Sequence, residues 1–286
     1  MISRLCIIGV GLIGGSLAKA LKQAEAVGEI LGAGRSEGTL RKALELGVID
    51  RYETDLKLAV AEADVVVVAV PLGAVFKVFA AIADHLPPDS VLTDVGSSKT
   101  SVVQDARRVF GRTPPNFVPG HPIAGNEQSG VEAAFPELFR NRRIILTPLV
   151  ETEANAHTMV RRMWEATGAE VTDMGVQHHD EVLAATSHLP HMLAYALVDT
   201  LARMDDRVEI FRYAAGGFRD FTRIASSDPQ MWHDVCVANR EALLAVLESF
   251  SDDLTRLTDA IRNTDSDTIM EVFKRAKHAR DNLYLR

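Results

Sequence analysis

A parallel α/β domain followed by an all-helical domain is the architecture this sequence predicts, and three observations predict it. An apolar run, Leu5-Cys6-Ile7-Ile8, ends in Gly9-Val10-Gly11-Leu12-Ile13-Gly14-Gly15-Ser16 and passes into a helical pattern through Leu17, Ala18, Ala20 and Leu21. Further on, Val65-Val66-Val67-Val68-Ala69-Val70 has no polar alternation, as expected of a central parallel strand covered on both faces. From Val176 strand signals vanish, and amphipathic helical patterns take over with Leu183, Leu189, Leu193, Leu197 and Leu201 as one apolar set. The glycine pattern makes the first part a Rossmann-like dinucleotide-binding domain, and the change of pattern divides the chain into residues 1–174 and 175–286.

The elements follow in order. Gly9 permits a tight turn after the first strand, Gly11 lets a pyrophosphate approach the backbone, and Gly14 lets the helix pack on the strand. Leu12 and Ile13 open that helix, so their N–H groups face the phosphates. The second strand, Ile30 to Ala33, should end on an acidic residue if the ligand is NAD. Gly34-Arg35-Ser36 stands there instead, and a guanidinium with a hydroxyl suits a 2′-phosphate, so the chemistry favours NADP with NAD as the other option. The alternative is that Arg35 is a solvated loop residue and Ser36 caps the helix Glu37 to Leu46, which ends at Gly47.

Val70 and Pro71 close the third strand, and a helix is expected from Leu72 to His85. The strand Val91 to Val95 then leads into Gly96-Ser97-Ser98-Lys99-Thr100. Ligands of open α/β sheets bind beyond the carboxyl ends of the strands, which places Val70, Pro71 and Ser98 at the cofactor. Either serine would equally serve as N-cap of the helix running to Phe110. The strand Asn116 to Val118 runs into Gly120-His121-Pro122-Ile123-Ala124-Gly125-Asn126-Glu127-Gln128-Ser129-Gly130, a glycine-bounded turn at the same sheet edge as the serine turn. Pro122 pushes His121 toward an extended backbone, and an imidazole with an ordinary pKa near 6.5 can accept a proton at neutral pH. A histidine that merely satisfies a loop carbonyl is the plainer reading. Arg143 to Thr147, a helix Glu153 to Thr167, and Glu170 to Thr172 add one more β-α-β unit.

In the helical part, Ser187-His188-Leu189-Pro190-His191 sets two histidines three residues apart, facing the same way on a helix. A zinc site would need a third ligand that is not evident nearby, which leaves polar recognition of a substrate or a helix–helix hydrogen bond. Gly216-Gly217-Phe218-Arg219-Asp220-Phe221-Thr222-Arg223 offers two arginines, one of which could fork a carboxylate; an ion network with Asp220 is the alternative. Asp228-Pro229 caps a helix containing Trp232. The pattern Leu243, Leu244, Leu247, Phe250, Leu254, Leu257, Ile261 is wider than one small domain requires, and a homodimer interface would use it.

The totals exclude several function classes. The 286 residues are 47% hydrophobic and 24% charged, which suits a soluble globular chain. Lys and Arg number 31 against 39 Asp and Glu, a net charge of −8, so nucleic-acid and membrane partners are not expected and an anionic ligand must be met by local cations. Cys6 and Cys236 are two small apolar residues rather than a disulfide framework. With no membrane-spanning run and no cleavage site, they point to the cytoplasm.

Taken together, Gly9 to Ser16, Asp94-Val95-Gly96-Ser97-Ser98-Lys99, Gly120 to Gly125, Ser187 to His191 and Asp220-Phe221-Thr222-Arg223 resemble the prephenate and arogenate dehydrogenases of tyrosine biosynthesis along the whole chain. The resemblance implies an oxidative decarboxylation: hydride leaves the ring carbon bearing the hydroxyl, and the ring carboxylate departs as carbon dioxide. It implies that His121 takes the hydroxyl proton, that Ser97 hydrogen-bonds both the hydroxyl and the imidazole, and that Arg223 holds a carboxylate. His191 would meet the polar side chain of the substrate, with His188 beside it, and Glu127 and Asp220 would belong to a charged gate. Gly34-Arg35-Ser36 resembles NADP-using relatives, whereas Asn126 stands where tyrosine-inhibited members commonly carry threonine. The sequence stops at Arg286 after the helical region, so no fused mutase or amino-acid-sensing domain is expected. Two rivals are a β-hydroxyacid dehydrogenase or imine reductase, which would want a lysine near Arg223, and a non-catalytic NADP-binding regulator.

Overall fold

The computed structural model describes residues 2–126 and 128–283. The chain divides into two compact units, Met1–Arg240 and Glu241–Arg286. The first begins β1 (Ile2–Ile8), α1 (Leu12–Gln23), β2 (Val27–Ala33), α2 (Glu37–Glu45), β3 (Arg51–Glu53), α3 (Leu56–Val60), β4 (Val65–Val68), α4 (Leu72–Ile82), β5 (Val91–Asp94), α5 (Thr100–Phe110) and β6 (Phe117–Val118). All six strands are parallel, in the order β3-β2-β1-β4-β5-β6. The chain order reverses between β1 and β4, and the crevice above such a switch point is where doubly wound sheets bind ligands.

The apolar runs explain the layers. Leu5 and Ile7 of β1 join Val65 and Val67 of β4 in one core, while Cys6 and Ile8 join Val66 and Val68 in the other. A period of two thus sends alternate residues to opposite faces, and both faces are covered by helices.

A second sheet follows: β7 (Gly120–Pro122), which the sequence does not announce, and the expected β-α-β unit of β8 (Arg143–Leu146), α6 (Ala154–Glu165) and β9 (Glu170–Asp173). β8 and β9 are parallel, as a β-α-β unit requires, but β7 is antiparallel to β8 and pairs His121 with Ile145. His121 therefore sits in the middle of a short strand rather than on a free turn. Its backbone is extended, as Pro122 demands.

The helical part of the first unit comprises α7 (Val176–Leu183), α8 (Leu189–Ala202), α9 (Arg207–Arg212), α10 (Gly216–Thr222) and α11 (Pro229–Ala238). Between α7 and α8 the residues Ala184–His188 form a π-helical turn. Pro190 supplies the cause: it has no N–H to give the preceding turn, and widening the helix accommodates the loss. The second unit contains α12 (Arg240–Arg262) and α13 (Ser266–Leu283). Leu254 and Ile261 of α12 are 51% and 60% exposed, and Phe273 of α13 is 55% exposed. No helix among the described residues is long and apolar enough to cross a membrane.

Candidate active site

The glycine turn is shaped for a diphosphate. Gly9 has φ +100°, and a Cβ there would lie 2.3 Å from the carbonyl oxygen of Ala69; one on Gly14 would lie 2.2 Å from the oxygen of Gly9. At Gly11 nothing stands within 4 Å of that position, so the approach is open. The N-terminus of α1 carries neither a side-chain cap nor an acidic residue in its first turn. Its unspent N–H groups, Leu12 and Ile13 included, suit an anion. Val70 lies against this turn, 3.1 Å from the Cβ position of Gly9, and Pro71 is the N-cap of α4. These residues fit a dinucleotide.

At the end of β2, Ser36 does cap α2: its Oγ accepts from the Thr39 N–H at 3.3 Å and from the Thr39 hydroxyl at 3.0 Å. Arg35 is exposed and has no ionic partner among the described residues.

His121 is built into a chain of three groups. Its Nδ1 lies 2.9 Å from Nε2 of His179, and Nδ1 of His179 lies 2.8 Å from Oδ1 of Asp180. Burial opposes ionisation of Asp180, but hydrogen bonds from His179, Lys99 and Thr100 outweigh it and hold the carboxyl at about 2. An ionised carboxylate only accepts, so His179 donates through Nδ1. Burial depresses the His179 pKa, its Nε2 is then bare, and it must accept from Nδ1 of His121. The proton of His121 is thereby fixed on Nδ1, and its Nε2 keeps a free lone pair. Burial, then the neighbouring His179, Lys99 and His188 charges, push its pKa well below 6.5, so at neutral pH the ring is an uncharged base.

Asp180 also replaces the expected serine cap. It accepts from the N–H groups of Lys99 (2.8 Å) and Thr100 (2.8 Å) at the start of α5, where no side chain of the helix itself serves as cap. The Ser98 hydroxyl donates to the same carboxylate at 3.2 Å. Ser97 is half-buried, and its hydroxyl has no partner among the described residues. Beneath them, the fully buried Lys99 pairs with the fully buried Asp94 and donates to the Gly120 carbonyl at 2.7 Å. Asp94 in turn accepts from the N–H groups of Gly96 (2.7 Å) and Gly120 (3.3 Å). One buried ion pair thus ties the serine turn to the strand that carries His121.

Both motif histidines face Trp232, and the π turn ends at the first of them. His188 is buried at its end, with Nδ1 3.0 Å from Asn239. His191, half-buried in the first turn of α8, donates from Nδ1 to the Ser187 carbonyl at 2.8 Å and stacks on Trp232 at 3.6 Å. Arg223 and Asp220 are exposed at and before the end of α10, a segment packed on α8. Glu127 lies outside the described residues. Among those described, no group of three or more His, Cys, Asp and Glu could hold a metal ion.

His179, Asp180 and Asn239 are the residues that sequence reading misses. His179 and Asp180 sit in an ordinary helical stretch without glycine or proline to mark them, and Asn239 reads as a helix end. Lys99 and Asp94 are visible in a motif, but their pairing is not.

Comparison with known proteins gives the family. The family model described as prephenate dehydrogenase, nucleotide-binding domain, matches residues 17–173, and that described as prephenate dehydrogenase, dimerization domain, matches residues 176–275. The chain belongs to the prephenate dehydrogenase family. It is 41% identical to the cyclohexadienyl dehydrogenase of Zymomonas mobilis over 96% of this chain and 94% of that protein. With the prephenate dehydrogenase of Bacillus subtilis the identity is 36%, over 99% and 76% respectively. The crystal structure of Aquifex aeolicus prephenate dehydrogenase, in complex with hydroxyphenyl propionate and NAD+, superposes with a TM-score of 0.91 at 36% identity, covering 99% of both chains. Membership of the prephenate dehydrogenase family makes this chain an NAD(P)-dependent oxidoreductase of tyrosine biosynthesis that performs an oxidative decarboxylation, and gives its C-terminal region a dimerisation domain. The β-hydroxyacid dehydrogenase and regulator readings are not favoured.

Proposed function

We propose that the chain converts prephenate, arogenate or both, with NADP preferred over NAD, as a cytoplasmic homodimer of two domains meeting near Met174. The observation that carries the reading is the oriented chain from ionised Asp180 through His179 to an uncharged His121 with a bare Nε2. Such a nitrogen takes up the proton of the ring hydroxyl as hydride leaves the same carbon. The nicotinamide, when bound to the Gly9–Gly14 cradle, supplies the hydride acceptor. Ser97, with a free hydroxyl, holds the substrate hydroxyl against the imidazole, and Arg223 holds a carboxylate.

His191 has spent its Nδ1 proton on Ser187, so its Nε2 lone pair can accept from the ammonium of arogenate; once protonated it can donate to the side chain of prephenate. This supports acceptance of both. Asp220 is assigned to a charged gate, and His188 to substrate binding beside His191. NADP is supported by the unpaired guanidinium of Arg35, while the Aquifex aeolicus relative was solved with NAD+.

Steady-state rates with both substrates and both cofactors test the assignment. NADP should give kcat/KM at least about tenfold above NAD, reversed by Arg35→Asp, since one charge-assisted contact contributes about 1.5–3 kcal/mol. His121→Asn should lower kcat by about 10²–10⁴ while cofactor affinity is kept. Equal use of both cofactors by wild type and Arg35→Asp would overturn the cofactor assignment, and an active His121→Asn enzyme would overturn the base.

A further inference from the structure

Asn239 follows α11 and is 4% exposed. Its side-chain Nδ2 lies 2.9 Å from the backbone oxygen of Asp180 and 3.0 Å from Nδ1 of His188. A peptide oxygen can only accept, so the atom facing it is the amide NH2 and the orientation of the amide follows. Its second hydrogen then faces Nδ1 of His188, which must be the bare nitrogen. His188 therefore carries its proton on Nε2.

That Nε2 has no hydrogen-bond partner among the described residues, although the residue is only 1% exposed. The ring lies edge-on to Trp232, centroids 6.1 Å apart, and the buried indole Nε1 is also unpartnered. Indole nitrogen is a donor only, so these neighbouring rings hold two unspent donors that cannot satisfy each other. A buried N–H left unmade costs about 1–3 kcal/mol, and it persists where a ligand supplies the missing acceptor.

We propose that Asn239 is a positioning residue for the reaction: it locks His188 in the Nε2–H tautomer, so that this neutral donor is kept for an oxygen of the bound anionic substrate. The use of the donor rests on the function proposed above; the tautomer does not. The relay at His121 and the donor at His188 then share one anchor, because the backbone oxygen held by Asn239 belongs to Asp180, whose carboxylate orients His179. One ring is fixed as a base and the other as an acid-side donor, in opposite tautomers.

Imidazole ¹⁵N spectra, with His188 assigned through His188→Gln, read the tautomer in the absence of substrate. Protonated Nε2 and bare Nδ1 are expected in the wild type. Asn239→Asp puts an acceptor opposite Nδ1 and should protonate that nitrogen. Kinetically, Asn239→Ala should raise KM for the substrate about tenfold or more, as loss of a well-placed hydrogen bond in a buried site does, with cofactor affinity unchanged. The same change in a His188→Ala background should add less than about twofold, because the two residues act as one. Full multiplication of the two effects would make Asn239 merely structural and overturn the proposal, as would a wild-type Nδ1–H tautomer. Should Asn239→Ala not fold, the wild-type and Asn239→Asp spectra still decide. A wild-type enzyme that turned over neither prephenate nor arogenate would instead overturn the proposed function and leave the tautomer standing.

Discussion

A single carboxylate does most to define the centre. Asp180 accepts from His179, Ser98 and the N–H groups of Lys99 and Thr100, and each of these bonds needs an acceptor. Asp180→Asn keeps the volume but replaces one oxygen by a donor, so His179 loses the reason to hold its proton on Nδ1. The bond to His121 can then reverse, and the base loses its free Nε2. Loss of the orienting carboxylate in such carboxylate–histidine arrangements costs on the order of 10⁴ in turnover, and a kcat lowered about 10²–10⁴-fold with nearly unchanged KM is expected here. Rapid-quench rates with saturating cofactor measure it; a kcat within twofold of the wild type would show that the relay orients nothing. Stability should also fall by about 1 kcal/mol, since Asp180 caps α5.

At the level of elements, the glycine turn and the β8-α6-β9 unit were legible and β7 was not. Gly9, Gly11 and Gly14 announce themselves because each meets a different steric demand, and the coordinates separate those demands. Gly14 cannot take a methyl, which would lie 2.2 Å from the Gly9 oxygen and 2.9 Å from Ile7, whereas Gly11 has empty space. Gly14→Ala should therefore lose about 1–3 kcal/mol of stability and weaken cofactor binding together. Gly11→Ala should leave the melting temperature of the cofactor-free protein within about 2 °C and weaken only cofactor binding. Paired thermal denaturation and cofactor titration check this, and equal destabilisation by both would mean that Gly11 too is a packing glycine. By contrast β7 has three residues, one of them proline and one glycine, and its pairing with β8 is long-range; no periodicity can appear in so short a segment. The π turn was hidden for a related reason. Leu183, Leu189 and Leu193 keep a helical spacing through it, and only the backbone shows that the register changes over Ala184–His188, between α7 and α8.

Across the whole molecule, the site sets how stability responds to acid. In the unfolded chain imidazoles take up protons near pH 6.5, whereas burial, partly offset by Asp180, lowers His188 to about 4 and pushes His121 well below 6.5. Between these limits the unfolded state binds protons that the folded state refuses, so stability is complete above pH 6.5 and falls as the pH drops toward 4. A gap of this size in His188 alone corresponds to on the order of 3 kcal/mol. Asp180 works in a lower window: its carboxyl is held at about 2 against an ordinary 3.8, so its contribution is present above 3.8 and is lost only as the pH falls toward 2. The two windows hardly overlap, which makes them separable. Urea denaturation at intervals from pH 7.5 to 4.5 should show a steady decline beginning near 6.5, and His188→Gln, which removes one of these proton uptakes, should flatten it in part. The folded His121 stays neutral through this decline, so kcat/KM should hold below pH 6.5 and fall only at lower pH. A wild-type stability that stayed level from pH 6.5 to 4.5 would mean that these rings are protonated in the folded protein, and a protonated His121 has no lone pair with which to start the reaction.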